Sequence, residues 1–176
     1  MKNRLYIITL LFLLCGCTPQ IYLSQGMRNT LTSRAIDLTT IQYYNDVPIV
    51  MHRALSTGET KASKGVIKFE GDKQIEYVTI PAHTPGICID KTNPDKLLIR
   101  FDSDNTSSLW FAKGSDGSYE LAADSWLDNN KIAKVTYNTK HYRISHPEAW
   151  AKLMVKKDSH IKVKETNTVA KGAKIK

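Results

Sequence analysis

The chain of 176 residues carries 25 Lys and Arg against 17 Asp and Glu, a formal net charge of +8. That excess sits at the ends: Lys2 and Arg4 hold two charges, and 152–176 holds eight Lys against Asp158 and Glu165, which leaves 17–151 balanced at 15 basic and 15 acidic residues. A neutral body without interleaved aromatic and basic residues weighs against nucleic acid as a partner, and it assigns the basic character to a tail.

In chain order, Lys2 and Arg4 open the sequence and Leu5 to Cys15 is a nearly unbroken apolar run that ends at small residues. This is the build of a secretory signal over 1–16, and the run falls short of the about 20 apolar residues that a bilayer span needs. A buried core helix would show a polar face, and this run has none.

Leu14-Cys15-Gly16-Cys17 resembles the lipobox of bacterial lipoproteins: Leu, a small residue, Gly or Ala, then the modified Cys. The resemblance covers only the first 17 residues. It implies lipid attachment at the Cys17 thiol, cleavage after Gly16, and acylation of the new amine. Cys15 then leaves with the signal, Cys17 is capped, and Cys88 stands alone without an intramolecular disulfide. The rival is an ordinary secretory signal that leaves Cys17 free to pair with Cys88. Two or three acyl chains at about 0.8 kcal/mol per CH₂ make a stable anchor where one does not.

Residues 17–40 are polar, with only Arg28, Arg34 and Asp37 charged, and read as a lipid-anchored tether spanning roughly 25 Å. A local helix, or a first strand around Ile36-Asp37-Leu38, is the alternative. Thr18 differs from the Asp that retains enteric-type lipoproteins in the inner membrane, and no acidic cluster follows Cys17. The resemblance therefore implies an outer-membrane anchor facing the periplasm.

The body, 41–157, reads as all-β. Strands are expected at Val47–Ala54, Gly65–Glu70, Gln74–Ile80, Gly86–Asp90, Lys96–Asp102, Ser108–Lys113, Tyr119–Ala123, Lys131–Tyr137, Tyr142–Ser145 and Trp150–Lys156, where β-branched and aromatic residues recur between Gly, Asn, Asp and Pro. Leu97, Ile99 and Phe101 share one face, the half-buried pattern of an antiparallel sheet. Gly71-Asp72, Asp116-Gly117 and Asn138-Thr139 mark hairpins. Only 122–129 carries a helical spacing. So many short strands predict a small antiparallel barrel or a sandwich. The stretch Ile80-Pro81-Ala82-His83-Thr84-Pro85-Gly86 resembles the turns of small SH3-like barrels.

Chemistry-bearing residues are sparse. Cys88 and His83 invite a thiol-nucleophile reading, an envelope hydrolase or transpeptidase acting on peptidoglycan. Ile87-Cys88-Ile89 instead places the thiol in an apolar strand, and the Ser-x-Gly-Cys-x-Arg pattern of L,D-transpeptidases is missing, so Cys88 reads as structural. Asp102-Ser103-Asp104-Asn105-Thr106 alternates oxygen ligands but lacks the Gly and the closing Glu of a calcium loop, and reads as a turn. His52, His83, His141, His146 and His160 show no ligand spacing, and no Ser has a nucleophile-elbow context. Neither a metal nor another cofactor is called for. Trp110, Trp126 and Trp150 with Tyr43, Tyr44, Tyr119, Tyr137 and Tyr142 are read mainly as core, with a glycan-facing patch as the alternative.

The tail, 158–176, alternates apolar and basic residues at Ile161-Lys162-Val163-Lys164 and ends with Lys171, Lys174 and Lys176. These lysines are candidates for contact with lipopolysaccharide phosphates or peptidoglycan carboxylates, at about 1 kcal/mol each near an anionic surface. Lys176 also resembles the terminal Lys that joins murein lipoprotein to peptidoglycan. The expectation is a non-catalytic lipoprotein whose β domain binds an envelope protein or polymer, as subunits of secretion or envelope-assembly systems do.

Overall fold

Alternation of buried and exposed side chains sets the architecture. In the computed structural model, which describes residues 19–56, 65–71, 73–104 and 106–157, thirteen strands form two antiparallel sheets over one core. They are β1 (Gln20–Tyr22), β2 (Gln42–Asn45), β3 (Ile49–Ala54), β4 (Val66–Glu70), β5 (Lys73–Ile80), β6 (Pro85–Asp90), β7 (Lys96–Arg100), β8 (Ser108–Lys113), β9 (Tyr119–Leu121), β10 (Ser125–Leu127), β11 (Ile132–Tyr137), β12 (Lys140–Ser145) and β13 (Leu153–Lys156). One α-helix, α1 (Gln25–Ser33), follows β1. The all-β expectation holds. No helix among the described residues is long and apolar enough to cross a membrane.

The larger sheet has the order β1-β13-β2-β6-β7-β8-β9 and the smaller one β10-β11-β12-β3-β5-β4. Backbone bonds join β9, at one end of the larger sheet, to the segments beside β1 and β13. Tyr119 N donates to Leu23 O at 3.0 Å and Leu121 N to Ala151 O at 2.8 Å, with bridges Ser24 to Ser118 and Glu120 to Lys152. The sheet thus curls until β9 meets the segments beside β1 and β13, which satisfies edge groups that would otherwise lie open.

Leu97 and Ile99 of β7, Leu109 and Phe111 of β8, Ile49 and Met51 of β3, and Val135 and Ile144 of the β11–β12 hairpin all point into the core. Each such burial is worth roughly 1.5–3 kcal/mol. Phe101, expected on the face of Leu97 and Ile99, packs edge-on to Phe111 at 6.1 Å. Glu76 also faces inward and is fully buried; Arg53 Nε donates to its carboxylate at 2.6 Å and the Tyr142 hydroxyl at 3.2 Å. A buried carboxylate persists only when so matched.

All three expected hairpins form. Gly71 has φ 60° between Glu70 and Lys73, Gly117 has φ 80° between β8 and β9, and Asn138 and Thr139 have φ 49° and 61° between the paired Tyr137 and Lys140. The stretch 80–86 turns around Asn45, which is fully buried. Its Nδ2 donates to Val47 O and Pro81 O at 2.7 and 2.8 Å, and its Oδ1 accepts from Thr84 N at 2.9 Å.

The expected tether needs correction. From Gln20 onward its residues belong to the domain: β1 pairs with β13, Leu23 and Leu31 are buried, and the turn at Leu38–Thr40 buries Leu38. Ser24 caps α1 by accepting from Met27 N at 3.1 Å. Arg28, also buried, ties the helix down through Nη2 to Lys91 O and Asn93 O and through Nη1 to Lys96 O. A polar helix carries a weak apolar stripe, so its periodicity is hidden in the sequence. β1, β2 and β10 are further strands beyond the expected ones; β10 falls in 122–129, where the spacing reads as helical. Trp150 lies in a short 3₁₀ turn, Glu148–Trp150, and not in a strand.

Candidate binding cleft

Cys88 occupies the inward face of β6, at a bulge where the register shifts between Cys88 and Asp90. Its thiol donates to Asp90 O at 3.3 Å, and burial pushes its pKa up to about 11. A nucleophilic thiol needs the opposite conditions, an accessible site and a lowered pKa. His83 turns elsewhere: its Nδ1 lies 2.8 Å from Gln20 Oε1. The pairing read as a nucleophile and base is not assembled, and the structural reading of Cys88 fits its surroundings.

Asp104 is spent on its own turn, accepting from Thr106 N at 2.9 Å, from Ser107 N at 2.7 Å and, through Oδ2, from Ser107 Oγ at 2.7 Å. That is a capped loop and not a ligand cage. Among the described residues no three His, Cys, Asp or Glu side chains converge as metal ligands do. Cys17 and Lys162, Lys164, Lys171, Lys174 and Lys176 lie outside the described residues.

The aromatic residues divide. Tyr43, Tyr119, Tyr137 and Tyr142 are buried, as a core reading expects. Trp126 and Trp150 do something else. Though 24 positions apart, they stack with ring centroids at 4.9 Å and planes at 24°, and Trp150 remains 38% exposed. β10 supplies Trp126 and the 3₁₀ turn after β12 supplies Trp150. Sequence alone marks each Trp but not their meeting, because it depends on how the β11–β12 hairpin folds back.

Beside the pair opens a cleft of about 850 Å³, lined by Trp150, Asp128, Asn129, Asn130, Ser145 and His146 among others. Asp128, Asn129 and Asn130 are consecutive left-handed residues, with φ 47°, 51° and 66°. Asp and Asn tolerate that region better than other side chains, yet each such residue costs roughly 1 kcal/mol. The loop is held by Lys131 N donating to Asp128 O at 3.0 Å and His146 N to Lys131 O at 2.9 Å. A pre-set aromatic platform next to amide and carboxylate groups suits a ligand with apolar ring faces and hydroxyl edges.

Fold and cleft together define an all-β domain with a preformed aromatic and amide-lined cleft. Comparison with protein families, with curated proteins and with solved structures finds no match for this chain.

Proposed function

We propose that this chain is a non-catalytic lipoprotein of the outer membrane, anchored through lipid on Cys17, whose β domain binds a saccharide polymer of the envelope. The observation that carries the binding part is Trp150, stacked on Trp126 and lining a cleft with Asp128, Asn129 and Asn130. The anchor rests on Leu14-Cys15-Gly16-Cys17 and the apolar run before it. Lys162, Lys164, Lys171, Lys174 and Lys176 would add salt-dependent attraction to the same anionic polymer. Membership of a secretion or envelope-assembly machine, with an envelope protein as the bound partner, fits the same build.

Intact mass of the native protein tests the anchor, since acylation of Cys17 adds mass and Cys17→Ser prevents it. Sedimentation with purified peptidoglycan tests the cleft. Trp150→Ala is expected to weaken retention about tenfold or more, equivalent to about 1.4 kcal/mol. Equal retention of wild type and W150A would remove the cleft from the reading.

A further inference from the structure

A second surface lies on the outer face of the smaller sheet. The registers place Tyr77, His52, Arg143 and Lys134 in one line across β5, β3, β12 and β11: Tyr77 opposite His52, His52 opposite Arg143, and Arg143 opposite Lys134. Arg143, Lys134 and His52 line a cleft of about 620 Å³, together with Lys73 and His141. Among the described residues the acids nearby are engaged, including Glu70, which itself lines the cleft. Glu70 accepts from the Tyr77 hydroxyl, Glu76 is buried beneath on Arg53, and Asp124 accepts from Thr136 Oγ1 at 2.8 Å. Thr136 Oγ1 is also 3.2 Å from His141 Nδ1. Among the described residues the Arg143 guanidinium and the Lys134 amine make no hydrogen bond or ion pair.

Like charges directly opposite one another on neighbouring strands destabilise a sheet. Here two permanent cations and an imidazole sit side by side, on strands about 4.8 Å apart, in a body whose overall charge is balanced. Local stability is therefore given up for two cations about 5 Å apart with a neutral imidazole beside them, the pattern expected where a ligand supplies the missing negative charge. A planar guanidinium takes two oxygens at once and a neighbouring ammonium a third, which matches a phosphoryl group better than a lone carboxylate.

We propose that the cleft of His52, Lys73, Lys134, His141 and Arg143 binds the phosphoryl groups of a phosphorylated envelope glycolipid or polymer. The oxyanion chemistry stands on the cleft alone; its location in the envelope rests on the function proposed above. Inorganic pyrophosphate, titrated into the purified full-length protein at low salt by calorimetry, is the first probe. Arg143→Gln and Lys134→Gln are each expected to weaken binding at least tenfold, whereas Lys113→Gln on the other sheet changes it less than twofold. Undetectable binding, or equal loss in all three variants, overturns the site; unchanged circular dichroism guards against misfolding.

Vesicles of lipopolysaccharide, vesicles of phosphatidylglycerol and peptidoglycan sacculi then separate the sources. Retention on either vesicle that R143Q abolishes supports the phosphoryl assignment and names its carrier. Arg143-dependent retention on sacculi alone overturns it in favour of carboxylates. Pyrophosphate binding by a protein that is never acylated would keep this cleft and sink the envelope reading, and the reverse outcome would sink the cleft.

Discussion

Arg28 donates from Nη1 to the hydroxyl of Tyr119 at 2.7 Å, joining two residues 91 positions apart and fastening α1 to the strand that closes the larger sheet. The same phenol bonds Gln25 Oε1 at 2.5 Å, one turn earlier on the helix. With Nη2 held by the carbonyls of Lys91 and Asn93, the guanidinium is a buried cation satisfied by neutral acceptors. Arg28→Ala strands those carbonyls and empties the space of the side chain. Urea unfolding should show a loss of roughly 2–4 kcal/mol, and Tyr119→Phe roughly 1–2. A loss below 0.5 kcal/mol for Arg28→Ala would mean the helix is not part of the folded unit, since about 1 kcal/mol is expected from one hydrogen bond alone.

That helix also shows where reading the sequence stops. Strands such as Ser108–Lys113 announce themselves because strand-forming residues cluster there, Leu109-Trp110-Phe111, and the Asp-Gly and Asn-Thr turns because few residues accept positive φ. Gln25–Ser33 offers only Met27 and Leu31 as apolar contacts and uses an Arg for the third, so its composition matches that of a tether. Its N-cap, Ser24, was the signal available. The two candidate surfaces are less legible still. Trp126 and Trp150, or Lys134, Arg143 and His52, become neighbours only through strand register, which no local pattern states.

The Cys88 thiol should behave as a buried group. Its pKa, pushed up to about 11 by burial from an ordinary value of 9.0, favours the neutral form in the fold. The contribution to stability is complete below pH 9 and is lost as pH rises toward 11, by roughly 2–3 kcal/mol. Native protein at pH 8 should react with a thiol reagent orders of magnitude more slowly than unfolded protein. Rapid native labelling would restore Cys88 as a candidate nucleophile.

Burial first, and the Arg143 charge second, hold the His52 imidazole below its ordinary pKa of 6.5, against an opposing pull from Glu70. The fold therefore prefers neutral His52: its stabilising contribution is present above the ordinary value and is lost as pH falls through the lowered one. Proton NMR of the imidazole should find the pKa raised in Arg143→Gln. An unchanged titration would show that the two groups do not share a field.

Asn130, at φ 66°, spends stability on the shape of the aromatic cleft. Asn130→Gly should raise the unfolding free energy by about 0.5–1 kcal/mol while removing an amide from the cleft, and Asn130→Val should lower it by about 1–2. Thermal unfolding, paired with peptidoglycan sedimentation, reads both effects; a gain in stability without weaker retention would show that the amide serves only the loop.

The pairing of Gln20 with Lys156 and of Tyr22 with Met154 sets the mechanical character of the domain. β1 and β13 run antiparallel, so the chain enters β1 at Gln20 and leaves β13 at Lys156 on one side. Tension applied between those ends meets the hydrogen bonds one after another, like a zip, instead of loading them together in shear. Force on the termini thus peels off β1 first, exposing the side of β13 on which it lay, before it reaches Leu23 and the ring of strands behind it.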